Sequence, residues 1–169
     1  MRWDDFDQAK VRRHFDVIKS QGATRGLHMR LGYEVFYKTL LHKGLDQAPR
    51  YVLEGTNALL LEFNTGGQCS PGWEHIFYEL QTTYGIDITV AHPERYSSVI
   101  DDFDIAYRMK DMGCRLEVSA GDLFGRRRMT KCAKRLLKEG LVDAIVSDAH
   151  RPEHYRAYMR AMHKYANKI

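Results

Sequence analysis

Five short apolar runs alternate along this chain with helix-length amphipathic segments, and each run contains or ends in a carboxylate or an imidazole. They are Leu31-Gly32-Tyr33-Glu34, Leu59-Leu60-Leu61-Glu62-Phe63, Thr89-Val90-Ala91-His92, Leu116-Glu117-Val118-Ser119-Ala120 and Ile145-Val146-Ser147-Asp148-Ala149-His150. Strands that alternate with helices of about three turns build a parallel sheet or barrel, because each helix must carry the chain back to the starting edge. Strands of one direction also end on one face, which is where α/β proteins place their chemistry. The expected fold class is therefore α/β, in a single domain over residues 1–169.

Apolar periodicity predicts helices over 4–20, 35–42, 73–83, 101–112, 130–139 and 152–168, with Gly113 and Gly140 as stops. Strands are expected over 27–33, 50–53, 58–63, 86–92, 115–119 and 142–147. The run 58–63 is the clearest, apolar on both faces as an interior parallel strand should be.

Composition narrows the function. Hydrophobic content of 44% and charged content of 28% are ordinary for a soluble globular protein, and the net charge of +4 is mild. Arg126-Arg127-Arg128 reads as a solvated loop or helix start. No basic stripe interleaved with aromatics is evident, so nucleic acid is not expected as a partner. The three cysteines are widely spaced and match neither a zinc nor a disulfide framework, which points to reduced thiols and a cytoplasmic protein. No membrane span and no signal peptide is expected.

Glu34, Glu62, His92, Asp148 and His150 all fall at or near predicted strand ends, where they would converge. Carboxylates with imidazoles are the ligand set of manganese, iron(II) or zinc, and a carboxylate can bridge two ions. Glu62 is a stronger signal than Glu34, because an unpaired carboxylate among Leu59, Leu60, Leu61 and Phe63 needs a cation. Asp148 and His150 are stronger again, because at i and i+2 of a strand end they are expected to point to one side. Arg95 is a planar fork suited to an oxyanion. Glu117 could join the site or face outward. His14, His28, His42, His75, His154 and His163 read as structural, having no ligand partner at a useful spacing.

Ala91-His92-Pro93-Glu94-Arg95-Tyr96 and Ser147-Asp148-Ala149-His150 resemble the bacterial manganese-dependent protein-tyrosine phosphatases of capsular and exopolysaccharide operons, in the polymerase-and-histidinol-phosphatase (PHP) superfamily. Gly32-Tyr33-Glu34-Val35, Leu60-Leu61-Glu62-Phe63, the Ala120–Arg126 block and the Leu136–Val142 block follow in the same order. The resemblance implies a distorted βα barrel with divalent metals, manganese first and iron or zinc after it, at the strand ends. It implies Glu34, Glu62, His92, Asp148 and His150 as metal ligands, His92 and Arg95 as catalytic residues, and Arg95 with Arg126 as the substrate-binding pair. The implied substrate is the phosphorylated tail of a tyrosine autokinase.

The resemblance begins at about Val11. The family's opening His-x-His strand has no counterpart here, so the barrel is expected to lack its first two βα units. Residues 1–169 alone are then expected to have low or no activity, and an open seam favours self-association. Two alternatives stand beside this: a non-catalytic phosphopeptide-binding relative, and a PHP phosphoesterase on a small ester such as histidinol phosphate.

Overall fold

The computed structural model describes residues 6–125 and 127–169. Arg126, expected to bind substrate, lies outside the described residues. Five strands form one sheet in the order β1-β2-β3-β4-β5, and every neighbouring pair is parallel. They are β1 (Glu34–Phe36), β2 (Ala58–Glu62), β3 (Asp87–Ala91), β4 (Arg115–Ser119) and β5 (Ala144–Val146). The expected α/β class with a parallel sheet holds. Strand order equals chain order, so each crossover moves one place along the sheet, as in a barrel wall. Among the described residues β1 and β5 each pair with one neighbour.

The connecting helices are α1 (Gln8–Ala23), α2 (Tyr37–Lys43), α3 (Trp73–Tyr84), α4 (Ser97–Asp101), α5 (Asp104–Asp111), α6 (Arg128–Lys138) and α7 (His154–Tyr165). Helix α1 opens on Asp7, whose carboxylate accepts the Lys10 N–H at 2.9 Å and satisfies one of the orphan donors of the first turn. Helix α3 closes on Gly85 at φ 64°, a left-handed position that glycine takes without strain.

The sequence expectations fail at three places. Residues 27–33 are not a strand: β1 starts at Glu34 and is three residues long, fixed by its pairing with Leu60–Glu62 rather than by its own pattern. The segment Leu45–Tyr51 is a 3-10 helix rather than the approach to a strand at 50–53, and Pro49 within it lacks the N–H a ladder needs. The helix expected over 101–112 starts later, as α5 from Asp104, and Asp102–Phe103 separate it from the short preceding helix α4.

The core lies on one side of the sheet. Leu59, Leu61 and Phe63 are buried, and the Phe63 ring packs on Tyr37 at 4.7 Å and on Phe77 of α3 at 5.8 Å. Each such side chain contributes about 1.5–3 kcal/mol of burial. The other face of β2, expected to be equally buried, carries Ala58, Leu60 and Glu62 half-buried. There Leu60 and Thr89, with Arg115 and Glu117 of β4, line a cavity of about 400 Å³.

Candidate metal centre and anion site

Three of the expected ligands come together, Glu62 and His92 at C-terminal strand ends and Glu34 two residues back along β1, level with Leu60. Glu34 comes from the start of β1, Glu62 from the end of β2, and His92 from the residue after β3. The register places Phe36 opposite Glu62 and Val90 opposite Leu61, which sets the ends of β1, β2 and β3 side by side. His92 Nε2 lies 2.9 Å from Glu34 Oε1 and 3.5 Å from Glu62 Oε1. One ligand atom from each residue lies within 4.8 Å of the other two.

Two features bear on whether a cation fits there. Burial, and then the charge of Glu34, raise the Glu62 pKa, so its carboxylate lacks compensating charge. Burial, the largest single effect, lowers the His92 pKa, but the Glu34 hydrogen bond together with the charges of Glu34 and Glu94 makes the net shift upward. A proton shared with Glu34 thus stands where a cation would serve both carboxylates and the imidazole. The donor set of two carboxylates and one imidazole suits manganese, iron and zinc alike. Backbone strain marks the same place. Among the described residues only His92 (φ 32°) and Asp148 (φ 45°) are non-glycine residues with positive φ, a conformation held only where the surroundings over-determine it.

Arg95 lies in the 3-10 turn Pro93–Arg95, beside this group. Its Nε donates to Asp122 at 2.6 Å and its Nη2 to Asp148 at 2.7 Å. One guanidinium therefore sits between two carboxylates, and the charge expected to hold an oxyanion is already engaged. Asp148 also belongs to the Glu62 electrostatic neighbourhood, raising its pKa as Arg95 lowers it.

His150 is not drawn into the three-residue group. Its side chain is 74% exposed, against 15% for Asp148, and its Nδ1 lies 3.7 Å from Asp148 Oδ1. Asp148 and His150 nonetheless line one cavity with Arg95, although β5 ends at Val146 and Asp148 is left-handed. His154, read from sequence as structural, lies at the start of α7 and takes the His150 N–H on its Nδ1 at 3.3 Å. Glu117 lines the cavity on the open sheet face together with Glu34.

Three contributors were not singled out from sequence. Asp122 holds the Nε edge of Arg95. Tyr96, fully buried, accepts the Phe63 N–H at 3.1 Å and donates to the Ala91 carbonyl, riveting the ends of β2 and β3 beneath His92. Glu94, also fully buried, accepts the Ser119 N–H at 2.8 Å and ties the turn to the end of β4. Burial pushes its pKa up to about 8, which keeps the carboxyl neutral at pH 7. The signal for all three was their place in the 91–96 and 120–126 blocks, and no periodicity could assign their partners.

The profile described as capsular polysaccharide synthesis, CpsB/CapC, matches residues 4–169. The tyrosine-protein phosphatase CpsB of Streptococcus agalactiae serotype III (strain NEM316) is 26% identical over 149 residues, covering 82% of this chain and 60% of that protein. The tyrosine-protein phosphatase YwqE of Bacillus subtilis (strain 168) is 27% identical over 127 residues, covering 73% of this chain and 49% of YwqE. Among solved structures, a chain from the work on Bacillus subtilis YwqE and Streptococcus pneumoniae CpsB superposes with a TM-score of 0.75 at 25% identity. That work describes them as unique metal-dependent tyrosine phosphatases, and the match covers 92% of this chain and 66% of the other. The chain spans about half to three-fifths of the length of the curated relatives it matches.

Proposed function

The chain belongs to the CpsB/CapC family of capsular polysaccharide synthesis, and from that membership we propose a metal-dependent protein-tyrosine phosphatase for the tail of a tyrosine autokinase. The observation that carries this reading is the convergence of Glu34, Glu62 and His92 on one point beside Arg95.

Glu34, Glu62 and His92 would hold a divalent cation, with manganese the first candidate, and Asp148 and His150 would complete the ligand set at its margin. When bound, the cation supplies the Lewis acidity that phosphoryl transfer needs. The protein's own part is orientation and charge. Arg95, fixed through Nε by Asp122 and through Nη2 by Asp148, would offer its remaining guanidinium donors to a phosphate oxygen. Glu94 and Tyr96 hold the turn that carries His92 and Arg95, so the clamp and the imidazole move little. A tyrosinate leaving group, with a pKa of about 10, lessens the demand for a strong general acid. Arg126 belongs to the same reading as a second substrate contact. So do a single domain, a cytoplasmic location, and self-association through the edges of β1 and β5.

A second reading is favoured by one observation: three of the five expected ligands converge, while Asp148 is tied to Arg95 and His150 is exposed. The chain would then bind a phosphorylated segment without hydrolysing it. Phosphate release from a phosphotyrosine peptide, measured with and without manganese, separates the two. Manganese-dependent release lost in His92→Ala supports the phosphatase; peptide binding lost in Arg95→Ala, with no release, supports the binder.

A further inference from the structure

Between residues 127 and 138 the chain carries six basic residues and no acidic one. Helix α6 folds this run into a two-sided element. Thr130, Cys132, Ala133, Leu136 and Leu137 are its buried face. At 100° per residue, Arg128, Lys131, Lys134, Arg135 and Lys138 fall within about a third of the helix circumference on the opposite face, in a stripe about 15 Å long. All five are exposed. Arg128 pairs with Asp101, and the Arg135 guanidinium stacks 3.8 Å from the centre of the Phe103 ring. Lys131, Lys134 and Lys138 have no carboxylate partner among the described residues.

Helix α6 packs against the Pro93–Arg95 and Ala120–Leu123 turns, which carry Arg95 and Asp122. The helix that carries the stripe is therefore a direct neighbour of the candidate anion site. Beside it lies a cavity of about 300 Å³ lined by Ile100, Phe103, Arg128, Lys131, Cys132 and Arg135. Phe103 and Cys132 give it an apolar floor under a basic rim, the shape that accepts one side chain of a bound peptide.

We propose that the basic stripe of α6, with the adjacent Phe103 cavity, is a docking surface for an acidic polypeptide segment running into the anion site at Arg95. The assignment rests on reading that site as one for a phosphate ester carried on a polypeptide. Charge complementarity selects the occupant. A bilayer surface would call for exposed large apolar side chains among the basic ones, and none of those exposed in the described residues belongs to α6. Recognition of single-stranded nucleic acid would call for exposed aromatics on which bases stack, and Phe103 is buried under Arg135.

The test is fluorescence anisotropy with two labelled peptides, one of phosphotyrosine flanked by glutamates and one with tyrosine in its place. The partners are the wild-type chain and the triple variant Lys131→Glu, Lys134→Glu, Lys138→Glu. The expected result is at least about a tenfold loss of affinity for both peptides in the variant, and salt-sensitive binding in the wild type. Thermal melts confirm the fold, and Lys131→Gln, Lys134→Gln, Lys138→Gln gives a smaller loss in the same direction. Unchanged affinity in the folded triple variant overturns the proposal. So does equal or tighter binding of duplex DNA or phosphatidylserine vesicles through the same lysines. Failure of the phosphatase reading is told apart by the unphosphorylated peptide: it still binds through α6 when no phosphate is released.

Discussion

Arg95 carries one positive charge between two carboxylates, so the anion clamp of this site is balanced against itself. An incoming phosphate meets Asp122 and Asp148 as well as the guanidinium, at separations where like charges still repel strongly. Asp122→Asn removes one opposing charge while keeping an oxygen that can accept from Nε. The expected outcome is cation-free affinity for orthovanadate rising about three- to tenfold, measured by isothermal titration. Unchanged or weaker binding would mean that Asp122 does not set the charge balance at Arg95. The residue types of the site were legible because a carboxylate after an apolar run signals an unmet charge. The Arg95 pairing was not legible, since Asp122 and Asp148 lie 27 and 53 residues away and only the strand order makes them neighbours.

At the scale of elements, β4 was readable to the residue and β2 nearly so, because burial on one face forces an apolar pattern. The strand β1 was displaced in the sequence reading. Three residues carry too little pattern, and pairing with Leu60–Glu62 decides where such a strand begins. What joins the strand ends beneath the site is Tyr96, with its hydroxyl in two buried hydrogen bonds. Tyr96→Phe leaves the Phe63 N–H and the Ala91 carbonyl without that partner. We expect it to lower unfolding free energy by about 1–3 kcal/mol in urea denaturation. A loss under about 0.5 kcal/mol would contradict the role given to this hydroxyl.

For the whole molecule, the thiols report on how well the core excludes water. Cys114 and Cys132 are buried, and burial pushes both pKa values up to about 12. Folding thus favours the neutral thiols. Their contribution to stability is complete below the unfolded thiol pKa of about 8.5 and is lost as pH rises toward 12. Stability is therefore expected to fall above about pH 9, and Ellman's reagent at pH 8 should label only the half-buried Cys69 in the native chain. Fast labelling of two or three thiols would mean that the core opens readily. The βα alternation made the sheet class legible. The half-open second face was not legible, because Leu60 reads the same in sequence whether or not an element covers it.

The central claim is that Glu34, Glu62 and His92 form a metal site. Its most direct test is metal content per chain by plasma mass spectrometry, on protein purified without chelator, beside Glu62→Ala. The account predicts near-stoichiometric divalent metal in the wild type and its loss in the variant. Metal-free wild-type protein, or metal retained equally by Glu62→Ala, would contradict it.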